Sequence, residues 1–199
     1  IAFMGENVLN SLRQRAAGHA PVLFPRSGAA LHAMVTGVGR ERREAEDYDW
    51  HGLKRTNAEF ALLQHTFAGC GRLTYEGREH RLEAGQTMLL HFPHDNRYRL
   101  FAGEPWDFFW VCVAGTEVMR LWREVVARLG PCAALAPETL EAAADLCMRG
   151  LDRALRGPGE ASALAYGLAA RLLDEAHPPH HGAAPERRPA AIQRAVDHV

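Results

Sequence analysis

The sequence predicts a mainly β fold with C-terminal helices (α+β), and a change in hydrophobic period supports this prediction. Between residues 31 and 114 apolar and polar side chains alternate in short runs that glycine and proline interrupt, as in half-buried strands. After Gly115 the apolar side chains recur with a helical period, which is typical of amphipathic helices. So many short strands in one small region indicate a β-sandwich or a barrel.

The alternating region divides into eight predicted strands. They cover residues 31–36, 48–55, 59–67, 71–75, 78–82, 87–91, 97–101 and 107–114. The pair Glu76-Gly77 separates two of them, and glycine there supplies the positive φ of a tight hairpin. Residues 40–47 are charged or small and show no period, so we predict a solvated loop or an edge extension.

The two ends of the chain differ from this region. Residues 1–30 are predicted to form an N-terminal arm or a packed lead-in, with a short helix at 8–17. Three helices are predicted at 117–129, 137–156 and 159–176, with Pro137 in the first turn of the second.

The last residues suggest a linker and the start of another element. Residues 177–189 are rich in proline and histidine and are predicted to be a linker. A new amphipathic pattern begins at Ala190 and stops at Val199, and the chain starts with Ile1. We therefore expect the chain to be part of a longer protein.

The composition excludes several classes of protein. The chain has 199 residues, of which 47% are apolar and 24% charged, which fits one domain with an appended element. The 23 basic and 24 acidic residues give a net charge of −1, which argues against nucleic-acid binding by this chain alone. The longest apolar runs fall far short of the ~20 residues of a membrane span. With no secretory signal visible, we predict a cytoplasmic protein that does not contact a membrane.

The sequence contains no common catalytic motif. A GxSxG motif, an HExxH motif and a glycine-rich phosphate loop are all missing. Metal-dependent barrel enzymes of the cupin type need two histidines two residues apart, because a strand places such side chains on one face. His65 is isolated in its strand, and His91 and His94 are three residues apart. We predict no metal, no cofactor and no enzyme, and we keep a metal-dependent cupin enzyme using these histidines as the alternative.

Aromatic residues cluster near the end of the alternating region. Tyr98 and Trp106 are followed by Phe108 and Trp110, which period two places on one face of the last predicted strand. Such rings could stack on a sugar or an aromatic ligand inside a barrel. The alternative is that the rings only fill a small barrel.

Arg55 adds a polar group to this candidate pocket. It ends the predicted strand 48–55, in phase with His51 and Leu53. An inward guanidinium needs a partner, and its planar fork suits vicinal hydroxyls or a carboxylate. The alternative is an outward arginine at the surface.

A succession of short motifs resembles the N-terminal ligand-binding and dimerisation domain of AraC-type transcriptional regulators. The motifs are Arg55, Gly69-Cys70-Gly71, residues 76–85 (EGREHRLEAG), Phe92-Pro93-His94, Tyr98, residues 105–111 (PWDFFWV) and Gly115. The resemblance covers about residues 31–175 and extends to residues 191–199, which are similar to the first helix of the family's DNA-binding domain.

The resemblance implies a fold and a set of ligand-binding residues. It implies a cupin-like jelly-roll barrel (double-stranded β-helix) over residues 31–115, followed by a helical dimerisation hairpin over 116–176. In the arabinose-responsive member, residues matching Arg55, Tyr98, Phe108 and Trp110 surround the sugar. Phe108 replaces a histidine of that member, which removes a polar contact to arabinose. With His51 and Trp106 from the pattern above, these are the predicted ligand-binding residues.

The last predicted helix carries two apolar stripes and therefore needs two partners. One stripe contains Tyr166, Ala169 and Leu173. We assign the other to a dimer interface, and it comprises Ala161, Leu164, Ala165, Leu168 and Leu172. The alternative is complete burial of both within one chain.

These observations lead to one functional prediction. The chain is expected to be an effector-sensing domain that binds a small molecule, a sugar or a small acid, and forms a homodimer. It would control DNA binding by a C-terminal helix-turn-helix domain that starts at residues 190–199, and the full-length protein would have RNA polymerase as a further partner. A dimerisation module with a vestigial pocket is a second alternative.

Overall fold

The long strand β4 (Phe60–Tyr75) organises the fold because it belongs to two sheets. The structure, a computed structural model, describes residues 7–24, 31–45, 48–55, 58–100 and 103–178. Most of the predicted linker and the whole predicted final helix lie outside these residues.

Strands and helices occupy most of the described residues. The strands are β1 (Gly18–Pro21), β2 (Met34–Arg43), β3 (Asp49–His51), β4, β5 (Arg78–Glu83), β6 (Thr87–Phe92), β7 (Asn96–Leu100), β8 (Trp106–Ala114) and β9 (Cys132–Ala133). The helices are α1 (Val8–Gln14), α2 (Gly52–Arg55), α3 (Thr116–Leu129), α4 (Pro137–Leu151) and α5 (Pro158–Ala176).

The first sheet has the strand order β1-β2-β8-β4-β6-β9, and every described pairing in it is antiparallel. The second sheet uses the C-terminal half of β4, which pairs with β5 on one side and with β7 on the other, and β3 pairs with β7. The register of β4 against β8 shifts between Thr66 and Ala68. Gly69 follows with φ of +73°, so β4 bends from one sheet into the other at this point.

Two apolar cores lie on opposite faces of the first sheet. The inner core joins side chains of both sheets, including Leu62 and Phe108 of the first and Leu73 and Tyr98 of the second. The two sheets therefore fold over each other around this core. The outer core packs α1, α3, α4 and α5 against the other face of the first sheet. The mainly β class with C-terminal helices is confirmed.

Alternation along β8 decides which core each side chain enters. Trp106, Phe108 and Cys112 face the inner core, whereas Phe109 and Val111 face the helices. The predicted hairpin at Glu76-Gly77 is also confirmed, because β4 ends at Tyr75, β5 begins at Arg78, and both turn residues have positive φ.

One predicted boundary needs correction, and two alternatives that the sequence left open are decided. The predicted strands 59–67 and 71–75 form the single strand β4, because the bend at Gly69 does not end the pairing. Of the loop and the edge extension predicted at residues 40–47, residues 40–43 form the extension: they continue β2, where Arg40 and Glu41 are buried. The N-terminal segment is packed on the fold at Gly18–Pro21, where β1 pairs with β2.

The strand predicted at residues 48–55 ends at His51 in the structure, so the prediction is wrong for residues 52–55. The chain there forms the short helix α2, and Leu53 is 57% exposed. Gly52 approaches the start of β7 so closely that a Cβ on it would lie 2.4 Å from the carbonyl oxygen of His94, just before the strand, and 2.5 Å from Asn96 Oδ1. This close approach lets the chain turn, so Arg55 reaches the interior from a helix and not from a strand.

The residues predicted for the dimer interface are packed within one chain. The side chains of Ala161, Ala165, Leu168 and Leu172 are at most 2% exposed and belong to the outer core, and Leu164 packs against it. A face that one chain buries does not offer itself to a partner, so this assignment is corrected to intrachain packing.

Helix α4 ends at Leu151, before the predicted end at residue 156. None of the described helices is long and apolar enough to cross a membrane.

Candidate functional site: a polar cavity beside the inner core

A cavity of about 210 Å³ opens at one end of the inner core. Strands β1, β2, β4, β7 and β8 contribute to its wall, together with β3, α2 and the residue before β3. The lining residues are His19, Glu41, Arg43, Tyr48, Trp50, Arg55, Leu62, Gln64, Tyr98 and Trp110. The cavity thus collects polar and aromatic side chains from segments far apart in the sequence.

Arg55 lies among aromatic rings at this cavity. Its guanidinium carbon is 4.5 Å from the centroid of the Trp50 ring and 5.8 Å from that of Tyr98. The ring centroids of Phe60 and Phe92 each lie 5.2 Å from the same carbon atom. The guanidinium donates a hydrogen bond to the hydroxyl of Tyr98. Ring faces attract a cation, so this cage holds the arginine side chain at the cavity.

Glu41, another residue of the cavity lining, accepts hydrogen bonds from two side chains. Trp110 donates from Nε1 to Glu41 Oε1 at 2.6 Å, and Arg43 donates from Nε to Glu41 Oε2 at 2.7 Å. Gly39 makes room for the indole, because a Cβ there would lie 2.5 Å from Trp110 Cε2. Trp110 is therefore fixed in position by packing from one side and by a hydrogen bond from the other.

The two tyrosines keep their protons at neutral pH. Burial raises the pKa of Tyr98, although the Arg55 charge opposes part of this effect. Burial also raises the pKa of Tyr48 well above its usual value, and neighbouring Tyr98 adds to it. Both phenols can therefore donate a hydrogen bond. The amide of Gln64 accepts from the Tyr48 hydroxyl at 3.4 Å, while its nitrogen has no partner among the described residues.

The structure brings together three of the six residues predicted to bind a ligand. Arg55, Tyr98 and Trp110 line the cavity. Phe108 is fully buried beneath it, with its ring centroid 5.5 Å from that of Tyr48. Trp106 is also fully buried, and its Nε1 donates to Thr66 Oγ1 at 3.0 Å. His51 pairs with Arg97 in the second sheet and is not part of the lining.

Sequence reasoning missed seven lining residues. Gln64 and Leu62 could have been found, since they share a face of a predicted strand with period two. Glu41 and Arg43 were hidden because charged residues without a clear period suggest solvent. His19, Tyr48 and Trp50 reach the cavity only through backbone pairings that bring distant segments together, and no local pattern signals those pairings.

The three histidines of the metal-enzyme alternative do not converge. His65 lies beside Phe67 and Phe109 of the outer core, whereas the rings of His91 and His94 contact each other at a tilt of 53°, with centroids 4.4 Å apart. In the part of the chain that the structure describes, no three His, Cys, Asp or Glu side chains are placed to hold a metal ion.

His65 has a structural role that predicts a pH effect. Its Nδ1 lies 2.9 Å from Thr87 Oγ1, the side chain is buried, and this burial lowers its pKa to about 4. Between pH 6.5 and 4 the unfolded chain takes up a proton at His65 and the folded chain does not, so acid destabilises the fold. From pH 7.5 to 5 this single group should reduce the free energy of unfolding by about 2 kcal/mol.

Urea unfolding of the wild type and of His65→Gln at pH 7.5 and pH 5 measures this contribution. The wild type should lose about 2 kcal/mol more than the variant between the two pH values. Parallel losses in both proteins would show that His65 titrates alike in the folded and unfolded chains.

The fold and the cavity define a class of protein: a mainly β domain in which two sheets enclose a core beside a polar cavity, with a layer of helices on one face. The profile described as AraC-like ligand binding domain matches residues 38–181, which is well over half of the 199 residues. The chain belongs to this family of AraC-like ligand binding domains.

Several solved structures with low sequence identity match parts of the chain. The AraC-like transcriptional activator CuxR is 10% identical with a TM-score of 0.46, over 83% of this chain and 57% of CuxR. ToxT from Vibrio cholerae O395 is 10% identical with a TM-score of 0.40, over 73% of this chain and 55% of ToxT. YhaK from Escherichia coli is 15% identical with a TM-score of 0.40, over 57% of this chain and 51% of YhaK. The chain thus spans little more than half the length of these proteins, and no curated protein matches it at a significant level.

Proposed function

We propose that this chain is the effector-sensing domain of an AraC-type transcription regulator, and that its effector is a small cytoplasmic molecule bound in the cavity at Arg55. The observation that carries the proposal is the convergence of Arg55, Tyr98 and Trp110 on one polar cavity. These three residues are the ones that the family resemblance implies as ligand contacts. Bound effector would control DNA binding by a domain that follows this chain.

The chemistry of the cavity supports a ligand more than simple packing. A core that only fills a barrel is lined by apolar side chains, whereas here arginines, a carboxylate, an amide and two phenols share one wall. Its volume of about 210 Å³ lies below the roughly 300–1,000 Å³ of drug-sized sites. The effector is accordingly a small metabolite.

Contacts from the cavity wall to the N-terminal segment supply a route for regulation. Strand β2, which carries Glu41, also carries Arg40, whose guanidinium contacts Asp107 Oδ2 at 3.0 Å and the carbonyl oxygen of Arg13 at 2.9 Å. Arg15 in turn pairs with Asp152 after α4 at 2.7 Å. An effector that binds more tightly to one arrangement of these segments would shift their equilibrium and thereby signal to the following domain.

We further propose that the protein acts as a homodimer, as the family resemblance implies. The buried stripe of α5 is committed to the outer core, so a dimer would use other residues of the helical layer. Sedimentation equilibrium over a range of protein concentrations measures this state, and a monomer at all concentrations would contradict it.

A binding screen with matched variants tests the effector site. In thermal-shift assays of small sugars, hydroxy acids and carboxylic acids, at least one compound should raise the Tm of the wild type. The same compound should fail to stabilise Trp110→Ala, which removes a wall of the cavity, and should still stabilise Tyr166→Ala. Tyr166 is the control because its ring is exposed on α5, away from the cavity.

Two results would contradict the proposal. If no compound stabilises the wild type, the cavity is vestigial and the domain serves assembly alone. If stabilisation survives in Trp110→Ala, the ligand binds at another place on the molecule.

A further inference from the structure

We propose that the effector recognised by this cavity is a small organic anion, a monocarboxylate held by Arg55, and not a neutral sugar. The inference rests on the proposed function, because it assigns the chemical class of the ligand in the same cavity. It is carried by how the charges of the lining residues are paired.

Arg55 has no counter-charge among the described residues. A guanidinium carries five N–H donors, and within the described ranges Arg55 has one hydrogen-bond acceptor, the hydroxyl of Tyr98. Its other close neighbours are the rings of Trp50, Phe60 and Phe92. Ring faces attract the positive charge, but they accept no strong hydrogen bonds and carry no net charge. The other N–H groups of Arg55 lie in one plane. The two coplanar oxygens of a carboxylate can accept hydrogen bonds from a pair of them.

The carboxylate of Glu41, which lines the cavity, already accepts a hydrogen bond on each of its oxygens. Both oxygens of Glu41 accept charged or indole N–H groups, Oε2 from Arg43 and Oε1 from Trp110. The charge of Glu41 is thus balanced by Arg43, and the charge of Arg55 is left over. With two arginines and one glutamate in the lining, a ligand with a single negative charge makes the cavity neutral.

A neutral ligand fits this arrangement less well. It would displace water from Arg55 without supplying a counter-charge, and an unpaired charge is costly to desolvate. A sugar also needs acceptors for its hydroxyl protons, and the strongest acceptor, Glu41, is engaged on both oxygens. A carboxylate needs only donors, and three are present: the remaining N–H groups of Arg55, the protonated hydroxyl of Tyr98, and Gln64 Nε2, which has no partner among the described residues.

The volume limits the size of the acid. About 210 Å³ corresponds to roughly seven water-sized groups at about 30 Å³ each. The indoles of Trp50 and Trp110 form apolar walls around this space, so a flat or compact carbon skeleton fits beside the charged head. Short hydroxy acids and small aromatic acids are therefore the ligand class.

Matched acid and amide pairs test this inference. Isothermal titration calorimetry would compare glycolate with glycolamide, 2-furoate with 2-furamide and benzoate with benzamide, and would include arabinose and glucose as neutral sugars. We expect at least one acid to bind, and its amide and both sugars to bind at least about tenfold more weakly, as for loss of a charge-assisted hydrogen bond. Arg55→Gln should abolish the preference for the acid, and Arg55→Lys, which keeps the charge, should retain it in part.

The outcomes separate this inference from the proposed function. If an amide or a sugar binds as tightly as the acids and Trp110→Ala removes its binding, the cavity is the effector site but its ligand is not an anion. If Arg55→Gln keeps the acid preference, Arg55 is not the anion-binding group and the inference is overturned. If none of these compounds binds to the wild type, this ligand class is wrong, and the broader thermal-shift screen decides the proposed function separately.

Discussion

Gly69→Ala should destabilise the fold by about 3 kcal/mol or more, although it adds only one methyl group. Gly69 has φ of +73°, and a Cβ at this position would lie 1.7 Å from the carbonyl oxygen of Pro105. That carbonyl accepts a hydrogen bond from Cys70 N at 3.2 Å directly beside the last β4–β8 pair, Gly69 with Trp106, so it cannot simply move away. The bend that carries β4 from the first sheet to the second therefore requires glycine.

Gly85→Ala is the matched control for this substitution. Gly85 also has a positive φ, +89°, but a Cβ there would meet nothing within 4 Å. It should cost only the backbone strain of the left-handed region, about 1–2 kcal/mol. Chemical denaturation of the three proteins gives the comparison. Equal losses in the two variants would mean that the contact with Pro105 is relieved without cost.

Trp106→Ala is the second large effect, with an expected loss of about 3–5 kcal/mol in the free energy of unfolding. The indole is fully buried in the inner core, its ring contacts those of Tyr48 and Phe108, and its Nε1 donates to Thr66 Oγ1. Removing it leaves a large void and an unpaired hydroxyl at the same time. Denaturation midpoints of variant and wild type measure the loss.

Trp110→Ala provides the contrast within the same strand. Trp110 is half-buried and borders the cavity, so part of the space that it leaves joins a volume that already exists. Its substitution should therefore cost clearly less stability than that of Trp106. A loss as large as that of Trp106→Ala would place Trp110 among the residues that mainly hold the fold together.

These two tryptophans show how far sequence reasoning reaches. Period two along the last strand correctly assigned Phe108, Trp110 and Cys112 to one face, because alternation is a property of the extended backbone. The structure adds Trp106 to that face, because β8 begins one residue earlier than the predicted strand. The period could not distinguish which of them borders a cavity and which lies under it. How deeply a side chain is buried depends on the residues of the neighbouring strands. Trp110 lies at the cavity because Gly39 of β2 leaves room for its indole and Glu41 of β2 accepts its hydrogen bond.

Arg55 lines the cavity, but from a different element than the sequence predicted. The sequence predicted an inward arginine at the end of a strand, and the structure places it at the end of α2. The resemblance to AraC-type regulators implied that Arg55 contacts the ligand, whereas the local pattern predicted a strand where the chain forms a helix. The close approach of Gly52 to β7, which turns the chain, is a contact between distant segments and leaves no periodic signal.

Local pattern by itself determined the class of this fold, the hairpin at Glu76-Gly77 and the inward face of β8, because hydrophobic period and turn chemistry act between neighbours in the chain. Tertiary structure alone decided that charged residues 40–43 continue a strand, that the α5 stripe is intrachain core, and which side chains meet at the cavity. Each of these depends on strand pairing and packing between residues far apart in the sequence. The same packing pairs Glu41 with Arg43 and leaves Arg55 without a counter-charge among the described residues. Our proposed ligand class rests on this feature.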